Sequence, residues 1–226
     1  MSLTDRLLSG APAQPLITHY DDAEDTRVEL SVATMRNWAA KTANWLVDEL
    51  DVEPGDRVAV LLPSHWQTAA VFLGAWWCGA EVVTAGAAKV TFVPPGATAP
   101  GSTYTAVASL DPMGRDLRGD VPEGTLDYIG DARLFGDDYF SSVPGDTPCF
   151  LGATVDELLE KALSHAETLG IKADSRVLST LDWPAGAMEG LVTVLAAGAS
   201  LVQVSNADAE KLRKHAETER TTVTLS

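Results

Sequence analysis

The sequence predicts an α/β fold made of two pseudo-repeated units of mostly parallel sheet flanked by helices. Short apolar stretches, suited to buried strands, alternate with longer stretches that have helical periodicity. The order helix, turn, strand, helix, glycine, strand then occurs twice. Matching residues of the two copies are 119 positions apart, as in Arg57 and Arg176 or Gly79 and Gly198. A shared order over this length indicates a duplicated architecture.

The first repeat unit is predicted over residues 1–93. Ser31 is a suitable N-cap for its first helix, on which Trp38 and Trp45 share one face with other apolar residues. That stripe favours a core position for the tryptophans over a ligand platform. The other predicted elements are strands over 15–20, 27–30, 58–62, 81–84 and 90–93 and a helix over 65–78.

The second repeat unit is predicted over residues 149–226. Thr154 and Glu157 fit a capping box at the start of its first helix. Further elements are predicted over 177–181, 186–197, 201–204, 206–220 and 221–225. The first unit has no room for a counterpart of the 206–220 helix. Residues 94–148, rich in Gly, Pro and Asp, predict an irregular connection with a strand over 104–110 and a short helix over 130–135. The whole chain, 1–226, is expected to form a single compact domain.

The composition restricts the class of partner. The 226 residues are 46% hydrophobic and 21% charged, the balance of a globular protein, and their net charge is −16. So acidic a chain repels nucleic acid and anionic membranes, and its densest basic run, Lys211–His215, is interspersed with glutamates. No apolar run is long enough to span a bilayer, and Asp5 and Arg6 interrupt the N-terminal one. We therefore expect a cytoplasmic protein that binds neither nucleic acid nor membrane.

No residue pattern predicts catalysis, a metal or a cofactor. Cys78 and Cys149 form no CxxC motif and are expected to be buried thiols. The acidic residues around His19, over 21–25, are better explained by a hairpin turn than by a metal site. The four histidines are scattered, with His165 and His215 expected at helix surfaces.

One stretch has the glycine spacing of a phosphate-binding loop. It runs over Gly96–Thr103 after a predicted strand. It lacks the lysine, contains Pro100, and leads into a strand instead of a helix. Phosphate binding there is therefore the weaker interpretation.

Several ordered motifs resemble a known superfamily. They include Pro15–Ile17, Val52–Ala59 and Phe72–Ala80 in the first half, and Asp174–Leu178 and Leu195–Leu201 in the second. In this order they resemble the N-terminal region of adenylate-forming, AMP-binding enzymes: acyl-CoA synthetases, peptide-synthetase adenylation domains and luciferases. More narrowly, the chain is similar to short actinobacterial synthetase-like proteins. The resemblance implies paired N-terminal subdomains like those of acyl-CoA synthetases, which would explain the repeat.

The resemblance also implies residues that this chain lacks. Members of the superfamily hold ATP with a loop rich in Ser, Thr and Gly that ends in Pro-Lys-Gly. The corresponding stretch here, Gly145–Gly152, has no such run and no lysine. The superfamily's later motifs, for the ribose and for a C-terminal lysine, do not occur in these 226 residues. We therefore expect a non-catalytic relative.

The candidate binding residues are Asp182, Trp183 and Gly186. They follow the predicted strand 177–181, and ligands of parallel sheets collect at the carboxyl ends of strands. The resemblance implies an aromatic or histidine motif lining an acyl or nucleotide pocket there. The alternative is that Trp183 only covers the end of the sheet. Pro63–Trp66 is the corresponding stretch of the first unit.

Three functions remain open from the sequence. The first is a non-catalytic protein that binds a small apolar or acyl ligand or a protein partner. The second is a subunit that completes a split synthetase by pairing with a synthetase-like chain. The third is an enzyme of unrelated chemistry on the same fold. An exposed strand over 221–225 also predicts a homodimer, unless a loop covers it.

Overall fold

The structure, a computed structural model, describes residues 2–226, and in this part of the chain twelve strands form two sheets. The strands are β1 Pro15–Asp21, β2 Thr26–Ser31, β3 Arg57–Val60, β4 Glu81–Val83, β5 Val90–Val93, β6 Tyr104–Val107, β7 Leu126–Asp127, β8 Pro148–Phe150, β9 Ala153–Thr154, β10 Arg176–Ser179, β11 Ser200–Ser205 and β12 Val223–Leu225. The helices are α1 Leu3–Leu7, α2 Val32–Asp48, α3 Trp66–Trp77, α4 Tyr128–Ala132, α5 Val155–Leu169, α6 Thr193–Ala196 and α7 Ala209–Glu219. A π-helical turn, Met188–Val192, leads directly into α6.

The two sheets are mostly parallel, which confirms the predicted fold class. Sheet A has the order β12-β10-β11-β1-β2, and sheet B has the order β7-β6-β5-β3-β4-β8-β9. The antiparallel pairs among them are the hairpins β1–β2 and β8–β9. Each sheet therefore has a parallel centre and one antiparallel hairpin at an edge.

The repeat predicted from the sequence is present in the strand register. Arg57 of β3 pairs with Glu81 of β4, and Arg176 of β10 pairs with Ser200 of β11, again 119 positions on. On the other side of β3 lies β5, just as β12 lies on the other side of β10. The copies differ in the crossover to that outer strand, which is the short loop 84–89 in sheet B and contains α7 in sheet A. The absence of a helix in the first crossover was predicted correctly.

The hairpins are exchanged between the two halves of the chain. The hairpin β1–β2 lies before α2, in the first half of the chain, but pairs with β11 of the second half. The hairpin β8–β9 lies before α5, in the second half, but pairs with β4 of the first half. Each sheet is thus built from both halves. The predicted unit boundaries 1–93, 94–148 and 149–226 stay predictions, because strand pairing alone does not define units that fold independently.

Helix α3 is at the centre of the molecule. All of its residues are buried, and it contacts strands of both sheets as well as α2. Gly74 permits the close approach of α2, because a Cβ there would lie 2.5 Å from the Thr42 Cβ. Trp45 of α2 belongs to the same core as α3. The tryptophan stripe of α2 therefore reaches the core, where Trp45 is fully buried and Trp38 is partly buried.

Several element boundaries differ from the predictions. Strand β6 ends at Val107, well before Leu110, whose φ of 54° is left-handed. Helix α4 begins at Tyr128 because the Asp127 carboxylate accepts from the backbone N–H of Gly130. His215 was expected at the surface, but its side chain is only 12% exposed, because its Nε2 lies 2.8 Å from Asp22 Oδ1.

Candidate functional site

Asp182, Trp183 and Gly186 form one tight turn after β10. The Gly186 N–H donates to the Asp182 carbonyl at 2.7 Å, and a Cβ on Gly186 would lie 2.9 Å from that oxygen. The turn is held from the first unit, since the Trp183 N–H donates to Ser64 Oγ at 2.9 Å. The Pro63–Trp66 stretch therefore contacts its counterpart in the second unit directly.

The side chains of Asp182 and Trp183 have different environments. Asp182 is exposed, whereas Trp183 is 5% exposed and belongs to the main core. Its ring meets Phe72 edge-on, with the centroids 6.3 Å apart. Its indole N–H is buried and has no partner among the described residues. The indole therefore packs at the end of the sheet, and a buried donor remains there without an acceptor.

A cleft of about 500 Å³ lies beside this turn. Its walls are the hairpin β8–β9, one face of α5 and the start of the π-helical segment. Its apolar lining includes Phe150, Leu158 and Met188, and its polar lining consists of Glu157, Lys161 and Glu189. Asp182 and Trp183 do not line it. Sequence reasoning did not single out this cleft, because its walls come from three separate segments.

The stretch Gly145–Gly152, which the resemblance places at the phosphate loop, consists of a turn, strand β8 and a second turn of two residues. Leu151 and Gly152 connect β8 to β9, with φ values of 51° and 86°. Two left-handed residues in a row are typical of the tightest hairpin turns. Such a turn is too short to wrap around a polyphosphate.

The backbone N–H groups of this turn are already occupied. The Leu151 N–H donates to the Val82 carbonyl at 3.0 Å, and the Gly152 N–H donates to Glu81 Oε1 at 2.9 Å. The other Glu81 oxygen accepts from Arg57 Nε at 3.0 Å. An incoming anion would therefore meet a carboxylate, where the superfamily would offer free amides and a lysine.

The second glycine-spaced stretch, Gly96–Thr103, is a loop that leads into β6 and not into a helix, as predicted. Ser102 Oγ is hydrogen-bonded to Thr91 Oγ1 of β5. This hydrogen bond attaches the loop to sheet B.

The acidic residues near His19 take part in intramolecular contacts. Asp22 pairs with His215, Asp25 pairs with Lys211 at 3.0 Å, and Asp21 accepts from the Asn206 amide. Within residues 2–226, no three His, Cys, Asp or Glu side chains converge in a way that could hold a metal ion. The contacts fasten the turn after β1 to α7.

Neither cysteine has the properties of a nucleophile. Cys78 and Cys149 are free and buried, as expected from the sequence. Burial raises the pKa of each thiol to about 12, so the reactive thiolate is not populated near neutral pH.

The structure brings together two histidines that the sequence did not connect. His19 of β1 and His65, the N-cap of α3, have ring centroids 4.6 Å apart. Burial lowers the pKa of His19 to about 4 and lowers the pKa of His65 well below its ordinary value. Both therefore stay neutral in the folded protein at neutral pH. The one available signal was that both lie toward the carboxyl ends of predicted strands.

Comparisons with known proteins agree with this architecture. The sequence profile of the family described as "AMP-binding enzyme" matches residues 10–89. The chain is 42% identical to a protein of Mycobacterium tuberculosis (strain ATCC 25618 / H37Rv) described as a "TIGR03089 family protein". The alignment covers 99% of this chain and 96% of that protein.

Solved structures show the same fold. An acyl-CoA synthetase of Brucella canis superposes with a TM-score of 0.82 at 17% identity, over 99% of this chain and 47% of that one. The acetoacetyl-CoA synthetase of Streptomyces lividans superposes with a TM-score of 0.82 at 17% identity, over 100% of this chain and 42% of that one. The N-terminal domain of FACL13 from Mycobacterium tuberculosis superposes with a TM-score of 0.72 at 19% identity, over 99% of this chain and 62% of that one. The chain spans less than two thirds of each of these structures.

The chain has the fold found in the N-terminal part of acyl-CoA synthetases, and its residues 10–89 match the AMP-binding enzyme profile. It belongs to the family of the mycobacterial protein described above. In residues 2–226, no helix combines the length and the apolar character needed to cross a membrane.

Proposed function

We propose that this chain is a non-catalytic member of the adenylate-forming superfamily that binds a small apolar carboxylate or acyl compound without activating it. The observation that carries the proposal is the Leu151–Gly152 turn, in which Glu81 occupies the amide that a phosphate would need. ATP carries several negative charges. A site for it must supply free N–H groups and a cation.

The charge of the chain supports the same conclusion. With a net charge of −16, the protein has no general attraction for a polyanion. Arg57, which lies near the turn, is paired with Glu81. ATP would have to displace that carboxylate and would still meet no lysine in the turn.

The cleft beside the Asp182–Gly186 turn is the proposed ligand site. Phe150, Leu158 and Met188 offer an apolar lining for a hydrocarbon chain. Lys161 is the one cation among the lining residues and would have to bind a carboxylate in competition with Glu157 and Glu189. Asp182, Trp183 and Gly186 would shape the wall behind Met188 and would not contact the ligand's carboxylate. A volume of about 500 Å³ suits a medium-sized acyl chain.

The catalytic part of this proposal is tested by ATP–pyrophosphate exchange with the purified chain and a panel of carboxylic acids, including acetate, octanoate and benzoate. We expect no exchange above the rate without protein. Exchange that depends on one acid and on magnesium would show that the chain activates carboxylates.

The ligand part is tested by calorimetry with octanoate and dodecanoate. We expect saturable binding that Lys161→Glu weakens at least tenfold. Lys214→Glu is the matched control, because Lys214 is an exposed helix lysine outside the cleft. Equal affinity in both variants, or no binding by the wild type, would contradict a carboxylate site at this cleft.

A second function is favoured by the extent of the structural matches. The chain covers 42% and 47% of two synthetases, so a synthetase-like partner chain could supply the remaining portion. Mixing the chain with such a partner from the same cell should then produce exchange activity that neither shows alone. Activity of the partner alone that is unchanged by the mixture would count against this function.

Location and association belong to the same proposal. We expect the protein to act in the cytoplasm, where its two free thiols would stay reduced. Strand β12 is the outer strand of sheet A, hydrogen-bonded to β10 on one side. A homodimer would use its other side, and light scattering that reports a monomer would exclude this.

A further inference from the structure

A buried polar seam joins the two halves of the molecule around His19 and His65. His19 lies on β1 of sheet A, and His65 caps α3, which follows β3 of sheet B. The two imidazoles meet edge to face at 75°, and they are 2% and 5% exposed. Water therefore has little access to either ring.

The hydrogen bonds around His19 determine which of its ring nitrogens carries the hydrogen. Ser205 Oγ donates its proton to the Ser64 carbonyl at 2.5 Å, so this oxygen can only accept from His19 Nε2 at 3.0 Å. Nε2 therefore carries the hydrogen, and Nδ1 is unprotonated. Nδ1 is buried and has no partner in the described part of the chain.

Burial lowers the pKa of His65 as well, and a hydrogen bond of this ring adds to the effect. Its Nδ1 accepts from the backbone N–H of Gln67 at 3.1 Å, which caps the first turn of α3. A proton on this nitrogen would remove the acceptor and leave the Gln67 N–H unsatisfied. Either ring, once protonated, would also place a charge against the other at a centroid distance of 4.6 Å.

The groups that face the two rings do not compensate such a charge. The neighbouring strand β11 contributes the neutral side chains Gln203 and Ser205, and β2 places Val28 opposite His19. Among residues 2–226, burial lowers the pKa of His19 and outweighs both the charge of Asp21 and the Ser64 backbone, which favour protonation. Against His65 the one titratable neighbour is His19 itself.

The seam also holds the turn after β10. Ser64 Oγ donates to the Leu181 carbonyl at 3.0 Å and accepts from the Trp183 N–H at 2.9 Å. Gln203, the register partner of His19, donates its side-chain amide to the same carbonyl at 3.1 Å. The residues that support the histidines are thus the residues that support the turn.

We propose that His19 and His65 form a proton-sensitive latch, in which uptake of a proton by either ring loosens the contact between β1 and α3 and releases the Leu181–Trp183 turn. This inference does not depend on what the neighbouring cleft binds. The latch proposal and the proposal of a ligand in the cleft can fail separately, because the latch is tested without any ligand.

The direction of the effect follows from the folded and unfolded states. In the unfolded chain both histidines titrate near the ordinary pKa of 6.5, whereas the pKa of His19 in the folded protein is lowered to about 4. Above about pH 6.5 the histidines contribute nothing to the pH dependence of folding. Below it, only the unfolded state gains protons, so the folding constant falls about tenfold per pH unit for each histidine.

The test is urea unfolding of the full chain between pH 7 and pH 5, with His65→Asn, His19→Gln and the double variant. Asparagine still accepts at a helix N-cap but does not titrate. We expect the folding constant of the wild type to fall about five-hundredfold over this range and that of each single variant about twentyfold. Titration of these two histidines should leave the folding constant of the double variant nearly unchanged. His165→Asn on α5 is the matched control and should keep the wild-type slope.

Two further measurements report directly on the latch. The hydrogen-exchange protection of the Trp183 N–H should decrease from pH 7 to pH 5 in the wild type and stay constant in the double variant. NMR titration of the wild-type imidazoles applies even if a variant fails to fold. Titration of both folded rings near pH 6.5, or a wild-type pH slope in the double variant, would overturn the proposal.

Discussion

The outer faces of the two sheets show how one duplicated framework was completed in two ways. On sheet A, α7 covers a cluster of Tyr20, Leu178, Val202 and Val204 through Leu212 and Ala216. On sheet B, the loop 84–89 lies over the corresponding face, where the cluster is Ala59, Val83 and Ala88. Leu178 and Ala59 are equivalent positions of the repeat. The size of the strand residue matches the cover: a large residue lies beneath a helix and a small one beneath a close loop.

The equivalent arginines of the repeat, Arg57 and Arg176, also differ in exposure and in their ion pairs. Arg176 is 18% exposed in its side chain and bonds Glu219 of α7 and Glu29 of β2. Its counterpart Arg57 is 60% exposed and bonds Glu81 of the adjacent strand. Helix α7 thus supplies Glu219 to a partly buried network that also includes Arg27 and the Tyr20 hydroxyl. Helix α7 therefore contributes both apolar and ionic contacts that sheet B lacks.

The largest effect expected from this comparison comes from Glu219→Gln. It removes a carboxylate that is 5% exposed in its side chain and leaves Arg176 with a weakened network, which should lower the free energy of unfolding by about 3 kcal/mol. The matched variant Glu81→Gln acts on an exposed arginine and should cost about 1 kcal/mol. Both are measured by urea unfolding at pH 7. Equal losses would mean that α7 does not change the energetic environment of the repeat.

The apolar half of the comparison is tested by Leu178→Ala. Loss of a buried leucine beneath α7 should cost about 3 kcal/mol, because the helix cannot fully collapse into the space. The reverse change, Ala59→Leu, should cost about 2 kcal/mol by overpacking the loop 84–89. Thermal unfolding checks both. A stabilising Ala59→Leu would show that the loop does not lie close to the sheet.

Acid should reduce the contribution of Glu219. Hydrogen bonds from Arg27, Tyr20 and Arg176 outweigh burial and lower its pKa to about 2, below the ordinary 4.5. The stabilisation is therefore complete above about pH 4.5 and is lost as the pH falls toward 2. The gap in unfolding free energy between wild type and Glu219→Gln should shrink by at least half between pH 7 and pH 3. A constant gap would contradict the assigned network.

The smallest effect is expected at the start of α7. The Asp208 carboxylate accepts from the N–H groups of Glu210 and Lys211, and Asp208→Ala should cost about 1 kcal/mol. Asp208→Asn retains the acceptor and should cost much less. Circular dichroism during urea unfolding measures both. Identical losses would show that the cap does not stabilise the helix.

Local patterns were sufficient to predict much of the fold. The apolar periodicity of α2 and α5, the capping box at Thr154 and the 119-residue offset specify elements through neighbouring residues alone. The exchange of the two hairpins was not predictable, because the partner of a strand edge depends on distant segments. The connection 94–148 is held by isolated side chains such as Lys41 and Asn44, which bond backbone carbonyls and leave no periodic signal.

Only part of the candidate site could be predicted from the sequence. The sequence indicated the position of the Asp182–Gly186 turn and the loss of the phosphate loop. It did not indicate that Glu81 would occupy the turn amide, since the two groups are 71 positions apart. The contact of His19 with His65 was hidden for the same reason: each ring is placed by a different element. The ligand role of Asp182, Trp183 and Gly186 stays a prediction.

The central claim, that the two-residue turn cannot hold a polyphosphate, is tested most directly by calorimetric titration of the purified chain with magnesium ATP. We predict no saturable heat with the wild type, and none with Glu81→Gln, because removing the competing carboxylate creates neither a longer loop nor a lysine. Saturable binding by the wild type that requires magnesium would contradict the account.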